Sequence, residues 1–275
     1  MLLDHGADVN SSGGVYGNAL QAAAGADIWL HKLLLSRGAD VNAQGGAYGT
    51  ALQAAAASGQ LDCVKLLLDH GAEVNAVGGI YATAFQAACV LKCSRKPEIE
   101  RLLLDHGADV HVQGGHFGSA WHAAAAAETT YSEWKNLIRR LRKTGADVND
   151  TRGQCPYAPT ALHAVLQPPD SEHVEWMKVE FLLKCGANPN LSAGTYVFAL
   201  QAACARSGHI RTPADNEVGV RALLDECPDT DVNAVGGPFA TALQAAASTG
   251  KTVLSRGCSK RAPTSTCAVG DTTPR

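Results

Sequence analysis

Apolar and polar positions follow one another in a fixed order along the chain, and the order recurs. The run ALQAAAA at residues 51–57 holds strong helix formers, and Thr50 before it carries a hydroxyl suited to cap a helix start. Ser58-Gly59 then makes a turn. Apolar residues return at Leu61, Val64, Leu67 and Leu68, the spacing of one helical stripe, over about Leu61 to His70. Gly71 supplies the left-handed residue that ends such a helix. The polar stretch that follows, of the type ADVNAQGGAYG, carries a Gly-Gly pair that permits a tight reversal and predicts an extended arm. One unit is therefore helix, turn, helix, arm.

That unit repeats. GGAYGTALQAAA at 45–56 returns as GGVYGNALQAAA (13–24), GGIYATAFQAAC (78–89), GGHFGSAWHAAA (114–125) and GGPFATALQAAA (236–247), with looser copies at YAPTALHAV (157–165) and GTYVFALQAAC (194–204). A second phrase of the type LLLDHGADVN precedes each copy. Asn18, Thr83, Ser119, Thr160 and Thr241 stand where Thr50 caps its helix, whereas Phe198 cannot, so the sixth unit starts its helix less firmly. Gly6, Gly38, Gly107, Gly145 and Gly186 repeat the helix stop. The anchors Leu20, Leu52, Phe85, Trp121, Leu162, Leu200 and Leu243 are 32 to 43 residues apart, and most of the added length falls between the two helices. A lone unit cannot bury both helix faces, so stacking is obligatory. The alanine-rich first helix suits close packing between two neighbours. The fold class is all-α: a solenoid of about seven helix-turn-helix units with short β-hairpin-like arms.

Composition narrows the setting without changing this architecture. Formal net charge is −3, so no global field attracts nucleic acid or an anionic membrane. No run of 18 apolar residues suggests a spanning helix, and MLLDHGADVN is no signal peptide. Nine cysteines, an odd number without a CxxC pair, suit buried thiols in a reducing, intracellular compartment, here assigned to the cytoplasm with the nucleus open to it. Residues 1–10 read as the tail of a preceding unit and 11–250 as the array, its last unit incomplete. Residues 251–275 have no apolar stripe and predict disorder. Both ends are expected to be cuts through a longer array.

The TALQAAA phrase, standing where a T-P-L-H-x-A-A pattern is familiar, together with LLDxGADVN, makes the unit resemble an ankyrin repeat over residues 1 to about 250. Alanine replaces the proline, and Gln21, Gln53, Gln86, Gln201 and Gln244 replace a histidine that only His122 and His163 keep. The Gly-Gly-x-aromatic-Gly arm resembles the arrays of fungal NACHT-type (NOD-like) receptor proteins. The resemblance implies stacked helix pairs in a curved solenoid. It also implies arms and first helices lining a concave face that binds protein, and no chemistry.

Chemical motifs do not compete with that reading. Ser248-Thr249-Gly250-Lys251-Thr252 lacks the leading glycine of a phosphate loop and aligns with the inter-helix turn at Ser58-Gly59. His5, His70 and His106 recur one unit apart, too far to share an ion, and suit helix C-termini; His111 and His116 share one arm. Lys135, Arg139, Arg140, Arg142 and Lys143 alternate with Leu137, Ile138 and Leu141, as on a solvated helix face. The expectation is no enzyme, no metal and no cofactor.

Partner contacts are expected where units differ on a constant frame. Before the Gly-Gly pair these positions are Ser12, Gln44, Val77, Gln113, Ser192 and Val235; after it they are Val15, Ala47, Ile80, His116, Thr195 and Pro238. Tyr16, Tyr48, Tyr81, Phe117, Tyr157, Tyr196 and Phe239 supply one ring per unit, read as packing between arms ahead of binding. The expected function is a scaffold that binds another protein, with no nucleic acid and no membrane as partner. A self-associating solenoid stacking end to end is the alternative.

Overall fold

A computed structural model describes residues 1–90, 95–127, 129–151, 159–166, 176–205 and 213–248, the stretch 213–219 by its backbone alone. The expectations for Tyr157 and for 251–275 lie outside the described residues.

Thirteen α-helices run through the described residues in two rows. The inner row is α1 (Ala19–Ala22), α3 (Ala51–Ala57), α5 (Ala84–Val90), α7 (Ala120–Ala125), α9 (Ala161–Leu166), α11 (Ala199–Ala205) and α13 (Ala242–Ser248). The outer row is α2 (Ile28–Ser36), α4 (Leu61–Asp69), α6 (Lys96–Asp105), α8 (Tyr131–Lys143), α10 (Trp176–Lys184) and α12 (Pro213–Glu226). Each inner helix from α3 to α11 touches the inner helices on either side and the outer helix of its own unit. The core therefore runs lengthwise between the rows, as an all-α stacked array requires. Alanines 54, 55 and 56 are fully enclosed, which lets three inner helices lie close together. On α4 the buried stripe is Leu61, Cys63, Val64 and Leu67; Leu68 is only half-buried, and Cys63 holds the place expected of it.

The arms are smaller than hairpins. The first four reversals each close with a single antiparallel bridge, Gly13 to Gly17, Gly45 to Gly49, Gly78 to Ala82 and Gly114 to Gly118. The expected helix stops all hold, with φ between 79° and 96° at Gly6, Gly38, Gly71, Gly107, Gly145 and Gly186.

Two side-chain clasps join the units. The first uses Asn10, Asn42, Asn75, Asn149 and Asn190. The Asn42 amide donates to Gly71 O at 3.1 Å and its oxygen accepts from Glu73 N at 2.8 Å. Asn10, Asn75, Asn149 and Asn190 repeat this two-bond reach across the next junction. His111 occupies the equivalent place in the loop after α6, so the α6–α8 junction has no such clasp. His111→Asn is expected to add about 1 kcal/mol, the net worth of a hydrogen bond or slightly more, read as a higher urea midpoint with unchanged slope.

The second clasp is the glutamine of the inner helix. Gln53 Oε1 accepts from Thr50 N at 2.7 Å, while its amide donates to Ala76 O, Gly78 O and Ala82 O of the following arm at 3.0, 3.2 and 2.6 Å. Gln21 does the same with Asn18 N, Ala43 O and Gly49 O. Each carboxamide thus closes its own helix cap and fastens the next unit.

The third unit breaks this pattern for a local reason. In the first three units the residue before the cap has positive φ: Gly17 and Gly49 in the first two, Ala82 (φ 66°) in the third. A Cβ at Gly49 would overlap Gln53 Oε1, the oxygen that serves the cap. Ala82 has that Cβ. Correspondingly, Thr83 N turns back to Tyr81 O at 2.9 Å, and Gln86 Oε1 is buried with no partner. Ala82→Gly removes the left-handed strain at this position, so a gain of about 1 kcal/mol is expected by urea unfolding.

Candidate functional site

The tips of the first four arms form one continuous row. Ala47 N donates to Val15 O at 2.7 Å, Ile80 N to Ala47 O at 2.8 Å, and His116 N to Ile80 O at 2.6 Å. Four of the twelve expected contact positions are therefore bonded neighbour to neighbour through their backbones, and their side chains project from a fixed rail. The second glycine of each pair makes this approach possible. At Gly79 (φ 61°) a Cβ would overlap the Tyr48 carbonyl and lie 2.7 Å from Ala47 O. Gly46 and Gly115 meet the preceding arm in the same way.

Behind the tips the rings stack. Tyr48 and Tyr81 have centroids 6.3 Å apart, Tyr81 and Phe117 6.5 Å, and Tyr196 and Phe239 6.2 Å, all near parallel. Tyr16, first in the series, is exposed. Between the third and fourth arms lies an open groove of about 510 Å³, lined by Gly79, Ile80, Tyr81, Val90, Gly115, His116 and Phe117. The His116 ring stands edge-on to Phe117 at 5.1 Å. The structure thus brings Ile80 and His116 together on one groove. Ser12, Gln44 and Val77 are exposed beside the first three tips, Gln113 is half-buried, and Ser192, Thr195, Val235 and Pro238 are exposed on the later arms. None of the twelve is a carboxylate, lysine or arginine.

The model for ankyrin repeats, in three copies, matches residues 20–114. Among solved structures, the human ASB11 ankyrin repeat domain is similar with a TM-score of 0.64 at 23% identity, over 90% of this chain and 99% of that one. An ankyrin repeat domain from Acinetobacter baumannii is similar with a TM-score of 0.55 at 28% identity, over 76% of this chain and 96% of that one. The fold is an ankyrin-repeat solenoid. No curated protein matches the chain.

Within the ankyrin units, the two that keep histidine at the clasp position differ from the rest. His122 Nε2 donates to Pro159 O at 2.8 Å, and its Nδ1 pairs with the Ser119 hydroxyl at 2.7 Å. Ser119 thus spends its hydroxyl on a ring and not on the helix backbone, unlike Thr50, which is a correction to its expected capping role. His163 Nδ1 pairs with Thr160 Oγ1 at 2.8 Å, but its Nε2 is buried without a partner. Burial holds the His163 ring down at about 4, with the neighbouring His122 adding to the effect. Burial also lowers His122.

Outside the arms, the basic run on α8 needs one correction. Arg140 is not on a solvated face. Its guanidinium bonds Glu100 Oε2 at 3.0 Å and Pro97 O at 3.3 Å, bridging to α6 at the junction that lacks an asparagine clasp. Glu100 is enclosed and lies 3.9 Å from the equally buried ammonium of Lys96, which donates to Cys89 O. Burial pushes the Glu100 carboxyl up to about 7, against the downward pull of both cations. Arg139 and Lys135 lie over the Phe181 ring.

His5, His70 and His106 each donate Nδ1–H to the carbonyl four residues back, Met1 O, Leu66 O and Leu102 O, all at 2.8 Å. They finish helix ends, as expected. Among the described residues no group of three or more His, Cys, Asp or Glu converges as a metal site. Nor is any described helix long and apolar enough to cross a membrane. Sequence reasoning missed the asparagine and glutamine clasps. Their signal was present as the recurrence of Asn in GADVN and of Gln in ALQAA, but their partners lie 22 to 41 residues away.

Proposed function

We propose that this ankyrin array is a non-enzymatic scaffold that binds another protein along its arms, on the concave side of the solenoid. Ankyrin-repeat domains are in general protein-interaction modules, and the finer reading rests on one observation. The first four tips are held in a backbone-bonded row while their side chains vary from unit to unit, and those of Val15, Ile80 and His116 stay exposed, Val15 at 70% and Ile80 at 46%. A fixed rail keeps the ordering cost of binding low. Exposed valine, isoleucine and aromatic side chains with no formal charge fit a partner segment rich in apolar residues.

Pull-down from an extract tests this. Ile80→Glu with His116→Glu is expected to cut recovery of the bound protein about tenfold or more, while charge reversal at exposed Asp69 on the outer row leaves it unchanged. Because the face is uncharged, raising the salt is expected to leave recovery intact. Equal recovery with both arm variants would count against this face. The Gly-Gly-x-aromatic-Gly spelling supports a finer proposal, that the array is the sensing part of a larger NACHT-type receptor; a nucleotide-binding module encoded upstream of Met1 tests it.

A further inference from the structure

Positive charge collects on the outer row, away from the uncharged arm tips. The chain as a whole carries a net charge of −3. Yet α8 sets Lys135, Arg139, Arg140, Arg142 and Lys143 against the single acid Glu133. Of these cations only Arg140 enters an ion pair among the described residues, with Glu100. Arg139, Arg142 and Lys143 are exposed, and Lys135 is half-buried.

Three of the four remaining cations share one strip between α8 and α10, with Phe181 as its floor. The Lys135 ammonium lies 5.6 Å from the centre of the Tyr131 ring and 5.2 Å from that of Phe181. The Arg139 guanidinium lies 5.8 Å from the same Phe181 ring. Further along, burial raises the Cys185 thiol while Arg142 and Arg139 pull it down, which puts both guanidiniums beside that residue. Phe181 is itself braced by the enclosed Trp134, edge-on at 6.0 Å. Ring contacts of this kind position a cation without neutralising it. The side-chain freedom that a surface lysine or arginine gives up on binding is thus partly lost already in the free protein.

Spacing selects the ligand. Steps of four and three residues set Lys135, Arg139 and Arg142 about 6 and 5 Å apart along α8. Alternate side chains of an extended peptide point the same way and recur about every 7 Å. An arginine can take a carboxylate through two parallel hydrogen bonds. The strip is also short, about 10 Å along the helix. Lys184, the next cation toward α12, is taken up by Glu180 at 3.9 Å and Glu226 at 3.3 Å. A nucleic-acid backbone or an anionic membrane calls for positive charge over a wider area. We infer that the α8–α10 strip is a second docking surface, taking an extended segment of a partner protein with Asp or Glu at alternate positions. It uses no arm position and stands whether or not the arm face binds its own partner.

Fluorescence anisotropy of a labelled peptide alternating glutamate and serine, titrated with the full chain, tests this. Binding is expected, about tenfold weaker at physiological salt than at low salt. A peptide alternating glutamine and serine is expected not to bind. Arg139→Gln with Arg142→Gln should cut the affinity about tenfold or more and leave circular dichroism unchanged, since both side chains are exposed. Lys32→Gln with Lys65→Gln makes the same charge change at exposed positions on α2 and α4 and should leave binding intact, as should Ile80→Glu. Equal loss from the two double variants would overturn the inference, as would a strip variant that binds like the wild-type chain. So would a glutamate peptide that binds no better than its glutamine twin. Tighter binding of oligothymidylate or of phosphatidylserine vesicles than of the glutamate peptide would overturn it too.

Discussion

Glu100→Ala is expected to destabilise the protein by about 3–5 kcal/mol, because it strands the buried Lys96 ammonium and unties Arg140 from α6. The loss should be large for its place as well as its burial. At the α6–α8 junction His111 replaces the clasping asparagine, so polar contact between those outer helices rests on Arg140, through Glu100 and Pro97 O. The paired replacement Lys96→Met with Glu100→Leu removes both buried charges together and is expected to recover most of the loss. Urea unfolding of the three proteins at one pH separates a cost of broken pairing from one of lost volume.

The same carboxyl gives a signed pH dependence. Its folded value, about 7, lies above the ordinary 4.5, so the stability it contributes is complete below pH 4.5 and is lost as pH rises through 7. His163 acts in the opposite sense. Its folded value, about 4, lies below the ordinary 6.5, so its contribution is complete above pH 6.5 and is lost as pH falls through 4. Each spans about 3 kcal/mol, and between pH 4.5 and 6.5 they largely cancel. His163→Gln should therefore expose a stability that falls from pH 4.5 to 7. The apolar pair at 96 and 100 should instead expose one that falls from pH 6.5 to 4. A flat profile in both variants would contradict the burial argument.

Gly79→Ala is expected to cost about 3 kcal/mol or more, against about 1 kcal/mol for Gly71→Ala. Both glycines are left-handed, at φ 61° and 82°. They differ in surroundings: a Cβ at Gly71 meets nothing within 4 Å, whereas one at Gly79 would overlap the Tyr48 carbonyl. The first substitution bears only backbone strain. The second also forces two arms apart, breaking the Ile80 N to Ala47 O bond and pulling Gly78 and Ala82 off the Gln53 amide. Thermal and urea unfolding of both variants make the comparison, and equal losses would remove the claim of close arm contact.

Much of this fold was legible because its signals are local. The alanine run after Thr50 and the stripe at Leu61, Val64 and Leu67 each depend on neighbours a few residues away, and so does the glycine at 71. What escaped depends on the next unit. Asn42 reads as one more polar loop residue until Gly71 O is beside it. Gln53 reads as an exposed helix position until the following arm closes over it. The alternation of Arg140 with Leu137, Ile138 and Leu141 predicts a solvated face, and nothing near it in sequence announces Glu100, 40 residues earlier. At the arms, the variable positions were legible as variable, but the backbone bonds that align their tips carry no side-chain signature.

Hydrogen exchange of Gly79→Ala beside the wild-type chain tests the central proposition, that each unit is held by its neighbours and not by a common interior. Amides of α3 and α5, on either side of the disturbed arms, are expected to exchange markedly faster, while those of α11 and α13 keep wild-type protection. Equal loss of protection along the whole array, with α13 opening as readily as α5, would contradict it.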